Sequence, residues 1–171
     1  MKADRLKQLK KELTVYEGFR GKPYLCTSGK LTVGIGRNLE DRGLTLEEAE
    51  YLLDSDIQEC LGAVRAHLPW SEMAPEICCE VLVHMCFNLG IKGLLGFRQT
   101  LAAMESGEWA RAAKEMKNSR WAKQVGKRSD QLAEKIESLQ NRPAEMREVY
   151  SRIQKSLKAL EVELEAICSG N

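Results

Sequence analysis

Residues 16–39, YEGFRGKPYLCTSGKLTVGIGRNL, carry the most distinctive structural signal in this sequence. This stretch contains five glycines and one proline, and β-favouring residues lie on both sides of the turn at residues 27–30. Gly29 in this turn supplies the positive φ that a tight connection requires. The sequence therefore predicts a β-hairpin over this stretch.

Helices are predicted on both sides of the hairpin. The apolar residues of the preceding segment recur at helical spacing, and they are Leu6, Leu9, Leu13 and Tyr16. After the hairpin, Thr45 and Glu48 have the spacing of a capping box, which predicts the start of a long helix. Pro69 predicts the end of that helix.

The second half of the chain has a helical pattern throughout. Residues 77–89 (ICCEVLVHMCFNL) are apolar on nearly every side, which indicates a buried central helix, and Gly90 predicts its C-terminal cap. Shorter helices are predicted around residues 98–105, 108–117 and 119–125, and a longer one from Lys127. The predicted fold class is α+β and mainly α: an N-terminal lobe (residues 1–44), a connecting helix (45–67) and a helical lobe (69–142).

Residues 143–171 differ from the rest of the chain. Apolar residues repeat there with alternating steps of three and four, and they are Met146, Tyr150, Ile153, Leu157, Leu160, Leu164 and Ile167. The heptad pattern favours a coiled coil, but over three repeats a helix packed on its own domain gives nearly the same spacing. Residues 146–167 therefore predict a homo-oligomer contact or a partner-binding helix, and an appended foreign segment stays open.

Composition excludes several classes of protein. Hydrophobic residues make up 43% and charged residues 30% of the 171 residues, as in a globular protein. No apolar run approaches the roughly 18 residues of a membrane span, so no membrane anchor is expected. The first eleven residues are highly charged, unlike a secretory signal, and this predicts a protein kept in a cytoplasm.

Charge is unevenly distributed along the chain. Residues 1–42 carry a net charge of +5 and residues 43–68 a net charge of −5. Residues 111–128 hold seven basic side chains against Glu115 alone, which suits an anionic polymer as partner and equally a solvated helix surface. Because no nucleic-acid-binding motif is recognised, we expect no nucleic-acid partner.

The cysteines predict neither a disulfide framework nor a metal site. The six are scattered without a CxxC pair, and a chain of this length can build a core without cross-links. Cys78, Cys79 and Cys86 lie in the apolar helix and are expected to act as small core residues. With only His67 and His84 available, no metal and no cofactor are predicted.

Three residues around the hairpin could form a catalytic site. Glu17 precedes Gly18 at the predicted helix end, Cys26 ends the first predicted strand, and Thr32 lies on its partner strand. A tight hairpin brings Cys26 and Thr32 near each other. Taken alone the pattern is weak, because a glutamate at a helix end is usually a surface residue and a strand cysteine is usually a packing residue.

A family resemblance strengthens this interpretation. Glu17, Cys26 and Thr32 are separated by eight and five residues, a spacing that resembles the signature of the tailed-phage lysozymes, the endolysins of glycoside hydrolase family 24. Their common members carry an aspartate, and some branches a cysteine, at the second position. The similarity continues through residues 81–90, 96–101 and 119–128 and covers about residues 1–138.

The resemblance implies a muramidase with a two-lobe lysozyme-like fold over residues 1–142. Such an enzyme hydrolyses the β-1,4 bond between N-acetylmuramic acid and N-acetylglucosamine in peptidoglycan and lyses the host cell after a separate pore releases it. Glu17 would be the general acid, kept protonated by burial, and Thr32 would position a water or the sugar. Arg128 matches the residue that orients the acid, and the positions that match glycan contacts are Asn38, Phe87, Asn88 and Thr100.

Cys26 departs from the commoner aspartate. A thiol has an ordinary pKa near 8.5, so a substantial thiolate population at neutral pH requires a stabilising neighbour, and Arg20 and Lys22 are candidates to supply the charge. A thiolate nucleophile would retain the anomeric configuration, whereas a water-activating base would invert it. The alternative is a catalytically silent glycan-binding or scaffold protein with an oligomerising tail.

Overall fold

The computed structural model describes residues 1–141 and six helical residues beyond them: Arg152, Ile153, Ser156, Ala159, Leu160 and Leu164. The chain divides into two compact units, residues 1–53 (unit 1) and residues 54–171 (unit 2). The other residues of the predicted 143–171 helix lie outside the described part of the chain, so its heptad pairing stays a prediction. Of its heptad positions, Ile153, Leu160 and Leu164 are described, and all three are exposed.

Unit 1 begins with helix α1 (Ala3–Glu17), followed by a small antiparallel sheet. The strands are β1 (Arg20–Leu25), β2 (Leu31–Gly34) and β3 (Arg37–Asn38), in the order β1-β2-β3. The hairpin of β1 and β2 confirms the prediction, and Gly29 has the expected positive φ of 77°. The short third strand was not predicted, because two residues are too few to show an alternating pattern.

Helix α2 (Leu46–His67) crosses the boundary between the units and begins with the predicted capping box. The Thr45 amide donates to the Glu48 carboxylate at 2.9 Å, and the Glu48 amide donates to the Thr45 hydroxyl at 3.2 Å. These reciprocal bonds satisfy two of the amides that a helix start leaves without partners. The spacing of Thr45 and Glu48 was therefore sufficient to predict where α2 begins.

Unit 2 is helical throughout its described part. A 3₁₀ turn (Pro69–Glu72) precedes α3 (Glu76–Leu95). The helices α4 (Arg98–Glu105), α5 (Trp109–Lys117), α6 (Arg120–Val125) and α7 (Lys127–Ser138) follow, and a second 3₁₀ turn (Leu139–Asn141) ends the described segment. The predicted helices are confirmed to within about one residue at each start. The core contains Leu82, Met85 and Ile136, all fully buried.

Helix α3 is interrupted at Gly90, where the sequence predicts a C-terminal cap. Gly90 has a non-helical conformation (φ 68°, ψ 164°), so the apolar helix ends there as predicted, and a second helical segment follows across a kink to Leu95. Together the two segments, residues 76–95, are long and apolar enough to cross a membrane by length and composition only, and they are interrupted by the non-helical Gly90. Helix α3 forms the centre of unit 2, where Val81, Leu82 and Met85 have no exposed surface.

Candidate active site and comparison with known proteins

Glu17 is the last residue of α1, as predicted. The helix ends there because Gly18 adopts φ 70°, while its amide still donates to the Thr14 carbonyl. The Glu17 carboxylate lies against Gly36 in the turn between β2 and β3, where a Cβ atom would come within 3.1 Å of Oε2. The predicted burial of Glu17 is not observed, because its side chain is exposed.

Cys26 directly follows β1 and closes the hairpin turn. Its amide donates to the Lys30 carbonyl at 3.0 Å, and its carbonyl accepts from the Gly29 amide at 2.9 Å. The positive φ of Gly29 allows the chain to reverse within this span. The backbone therefore fixes the position of the thiol at the end of the hairpin.

The turn also sets the ionisation of Cys26. Its Sγ lies 3.0 Å from the Ser28 hydroxyl. This hydrogen bond, followed by those with the Lys30 and Ser28 backbone and with the Thr32 side chain, lowers the pKa of Cys26 from 9.0 to about 7. The turn therefore raises the thiolate fraction at neutral pH above that of an ordinary cysteine.

The cations expected to stabilise the thiolate do not account for this pKa. The Arg20 guanidinium lies 4.3 Å from the centre of the Tyr24 ring in a cation–π contact. Hydrogen bonds lower the pKa of Cys26, and neither Arg20 nor Lys22 contributes to that shift. The expectation about these two cations is wrong, and the residue that sequence reasoning missed is Ser28, which was assigned only to the turn.

Thr32 is buried, with 3% of its surface exposed, and lies opposite Tyr24 on β1 and Asn38 on β3. Its hydroxyl donates to the Lys30 carbonyl at 3.0 Å and also contributes to the lowered pKa of Cys26. The predicted proximity of Cys26 and Thr32 is confirmed. In the described structure Thr32 acts on the thiol, and its predicted contact with water or sugar stays a prediction.

Asn38 has a structural role in unit 1. Its Oδ1 accepts from the amides of Glu40 and Asp41, and its Nδ2 donates to the Asp41 carboxylate at 2.9 Å. Asp41 also pairs with Lys30 at 2.8 Å. These contacts satisfy the hydrogen-bonding atoms of the Asn38 side chain within unit 1. Its predicted contact with glycan remains a prediction.

Phe87 and Asn88 lie near the kink of α3 in unit 2. Phe87 is 44% exposed, which is high for an aromatic side chain next to a buried cysteine. The Trp121 indole donates to Asn88 Oδ1 at 2.7 Å, and the Trp121 ring packs edge-on against Phe97. Trp121 therefore orients Asn88, and sequence reasoning did not identify this partner.

Thr100 and Arg128 complete the predicted site residues. Thr100 lies on α4 with 2% of its surface exposed, so the predicted direct contact with glycan is not supported by its position. Arg128 lies in the first turn of α7 and is half-buried. A cation in the first turn opposes the helix dipole, and Asp130 in the same turn offsets it. The pairing of Arg128 with Glu17 stays a prediction.

Arg111 and Lys117, in the basic segment 111–128, have acidic partners among the described residues of unit 2. Arg111 pairs with Glu108 at 2.9 Å, and Lys117 pairs with Glu137 at 3.4 Å. Both pairs are exposed, as in a solvated helix surface. Among the residues that the structure describes, no cluster of three or more histidine, cysteine or acidic side chains could hold a metal ion.

Comparison with known proteins gives the class of protein. The family model "Phage lysozyme" matches residues 14–145, which include the helix end, the hairpin and the helical unit described above. The chain therefore belongs to the phage lysozyme family.

Individual relatives are distant. "Probable T4-type lysozyme 1" of Dictyostelium discoideum is 27% identical over 76% of this chain and 94% of its own length. "Probable T4-type lysozyme 2" of the same organism is 24% identical over the same shares. "Pre-baseplate central spike protein Gp5" of Enterobacteria phage T4 is 25% identical over 68% of this chain and 25% of its own length.

Proposed function

We propose that this protein is a muramidase that hydrolyses the β-1,4 bond between N-acetylmuramic acid and N-acetylglucosamine in peptidoglycan. The proposal rests on membership of the phage lysozyme family and on one observation in unit 1. The hairpin turn lowers the pKa of Cys26 to about 7, and the resemblance described above assigns the second catalytic group to this position. Wall degradation leading to lysis of a bacterial host is the proposed consequence.

Cleavage of a glycoside requires a proton donor at the leaving oxygen and a second group at the opposite face of the anomeric centre. In this proposal Glu17 donates the proton. Its carboxyl is held against Gly36, and because the side chain is exposed, the bound sugar supplies the desolvation that the donor needs.

Cys26 supplies the second group. As a thiolate it attacks the anomeric carbon, and water then hydrolyses the glycosyl-thioether; as a base it takes a proton from the attacking water. The first course retains the configuration and the second inverts it. In both courses Ser28 and Thr32 stabilise the thiolate through their hydroxyl groups.

Of the remaining predicted residues, Phe87 and Asn88 are proposed to bind the glycan strand and Arg128 to orient the acid. Phe87 offers an exposed aromatic surface for a sugar ring, and Trp121 fixes Asn88 by a hydrogen bond. Arg128 is proposed to orient the carboxyl of Glu17.

Digestion of purified peptidoglycan, followed by mass spectrometry of the soluble products, tests this function. We expect disaccharide muropeptides with reducing muramic acid ends. Glu17→Gln removes the transferable proton at nearly constant shape, and the rate should fall by about 10²- to 10⁴-fold.

The matched control is Glu12→Gln, an exposed carboxylate earlier on the same helix. It should digest the wall at the unaltered rate. Intact peptidoglycan with the unmodified protein, together with binding to the wall, would instead identify a catalytically silent glycan-binding protein.

A further inference from the structure

The described part of unit 2 contains a cavity of about 320 Å³ between α2 and α3. The cavity is lined by two acidic residues, two cysteines and apolar residues around the kink of α3, and its lining includes Asp56, Glu59, Cys60, Cys86, Phe87 and Ile91. Neither cysteine belongs to the catalytic proposal. The pair is not visible in the sequence, where 25 residues separate the two positions.

Both thiols line this cavity, and Cys60 is one of the neighbouring groups that raise the pKa of Cys86, so the two side chains lie near each other. Both are free thiols in the structure. Cys86 is 3% exposed, whereas Cys60 is half-buried at the edge of the core. A small molecule that enters the cavity therefore reaches Cys60 first.

We propose that Cys60 and Cys86 form a dithiol site that reduces a small-molecule disulfide and is itself converted to a disulfide linking α2 to α3. This inference does not depend on the proposed muramidase activity. It is also distinct from a structural cross-link, because both cysteines are free in the structure.

The reaction balances in two exchange steps. The Cys60 thiolate attacks one sulfur of the small disulfide, whose S–S bond breaks, and one small thiol leaves while Cys60 carries a mixed disulfide. The Cys86 thiol loses its proton and attacks the Cys60 sulfur, and the second small thiol leaves. The protein loses two electrons and two protons, and the small disulfide gains both as two thiols.

The second step is expected to limit the rate. Burial, and the neighbouring Cys60 and Glu59 groups, raise the pKa of Cys86 to about 11. Only a small fraction of Cys86 is ionised at neutral pH, so the mixed disulfide at Cys60 should be detectable as an intermediate.

The test is incubation of the folded protein with oxidised glutathione, alkylation of the remaining thiols, and peptide mapping after digestion. Trypsin separates Cys60 from Cys86, and cleavage after Glu80 then separates Cys86 from Cys78 and Cys79. We expect a cross-linked pair of peptides containing Cys60 and Cys86, with a rise of about 5 to 10 °C in the Tm followed by tryptophan fluorescence.

Single variants provide the controls. Cys86→Ala should retain glutathione on Cys60, and Cys60→Ser should leave Cys86 unreacted because its first reaction partner is absent. Cys78→Ser, on the same helix but outside the cavity lining, should cross-link like the unmodified protein. Persistent mixed disulfide at Cys60 in the unmodified protein, a cross-link to Cys78 or Cys79, or no reaction at either cavity cysteine would each overturn the proposal.

Discussion

The two units are stabilised by different interactions. The described part of unit 2 surrounds α3 with a continuous apolar core, whereas Thr32 is the only buried residue among residues 1–53, all of which the structure describes. In unit 1, polar contacts such as the Arg37–Glu48 ion pair replace the core. The proposed catalytic groups Glu17 and Cys26 therefore lie where hydrogen bonds set the geometry.

A matched pair of leucine substitutions gives the largest expected difference between the units. Leu82→Ala removes a fully buried side chain from α3 and should lower the free energy of unfolding by about 2–5 kcal/mol. Leu13→Ala removes an exposed side chain (47%) from α1 and should change it by less than about 0.5 kcal/mol.

Denaturant titration followed by tryptophan fluorescence measures the first change, because all three tryptophans lie in unit 2. Circular dichroism on the same samples measures the change in the free energy of unfolding for both variants. Equal losses of stability would contradict the contrast between a packed unit and a polar unit.

A pair of glycine substitutions tests how unit 1 positions the proposed acid. Gly34 and Gly36 both have positive φ (68° and 72°), so alanine introduces comparable backbone strain at each. Only at Gly36 does the new Cβ meet the Glu17 carboxylate, at 3.1 Å. Gly36→Ala should therefore lower kcat for muropeptide release about tenfold more than Gly34→Ala, because small misplacements of a reacting group are costly.

The measurement is a comparison of kcat and of Tm for the two variants. Similar Tm values with a larger activity loss for Gly36→Ala support a positioning role for Gly36. Identical activities would show that the contact with Glu17 has no catalytic role.

The ion pair of unit 1 gives a smaller, pH-dependent effect. Hydrogen bonds from Arg37 and Thr45 and the Arg37 charge lower the pKa of Glu48 from 4.5 to about 2. The folded state thus binds this proton less readily than the unfolded state. The pair consequently stabilises unit 1 above pH 4.5, and the stabilisation is lost as the pH falls through about 2.

Glu48→Gln should lower the thermal stability of unit 1 at pH 7, and the difference from the unmodified protein should disappear near pH 2. Backbone amide signals of residues 31–48, followed by NMR during heating, measure this unit separately. Glu47→Gln is the control beside it. A difference of constant size at pH 7 and pH 2 would contradict the assigned pKa.

Local sequence signals were sufficient to predict the helices of both units and the hairpin, whereas the two-residue strand β3 was missed. Gly29 predicted the hairpin turn, and Thr45 with Glu48 predicted the start of α2, because turn and capping chemistry depends on a few neighbouring residues. Gly90 was correctly identified as a break, but whether a helix continues beyond a kink depends on packing.

Side-chain partners were the part that could not be predicted. Arg20 was expected to act on Cys26 and instead contacts Tyr24, while Ser28 lies within hydrogen-bond distance of the thiol. Rotamers and cross-strand distances decide between such partners, and no periodic pattern records them. Cys60 and Cys86 come into one cavity only in the folded unit 2.

The most direct test of the account is the pH dependence of kcat/KM for muropeptide release by the unmodified protein, Ser28→Ala and Cys26→Asp. The unmodified protein should lose activity as the pH falls through about 7, where the Cys26 thiolate is protonated. Ser28→Ala should shift the pH at which activity is lost to a higher value. Cys26→Asp should shift it to a lower value by about 3 units, since the ordinary pKa of aspartate is near 3.9. A loss of kcat/KM at the same pH in all three proteins would show that Cys26 is not the catalytic group that titrates.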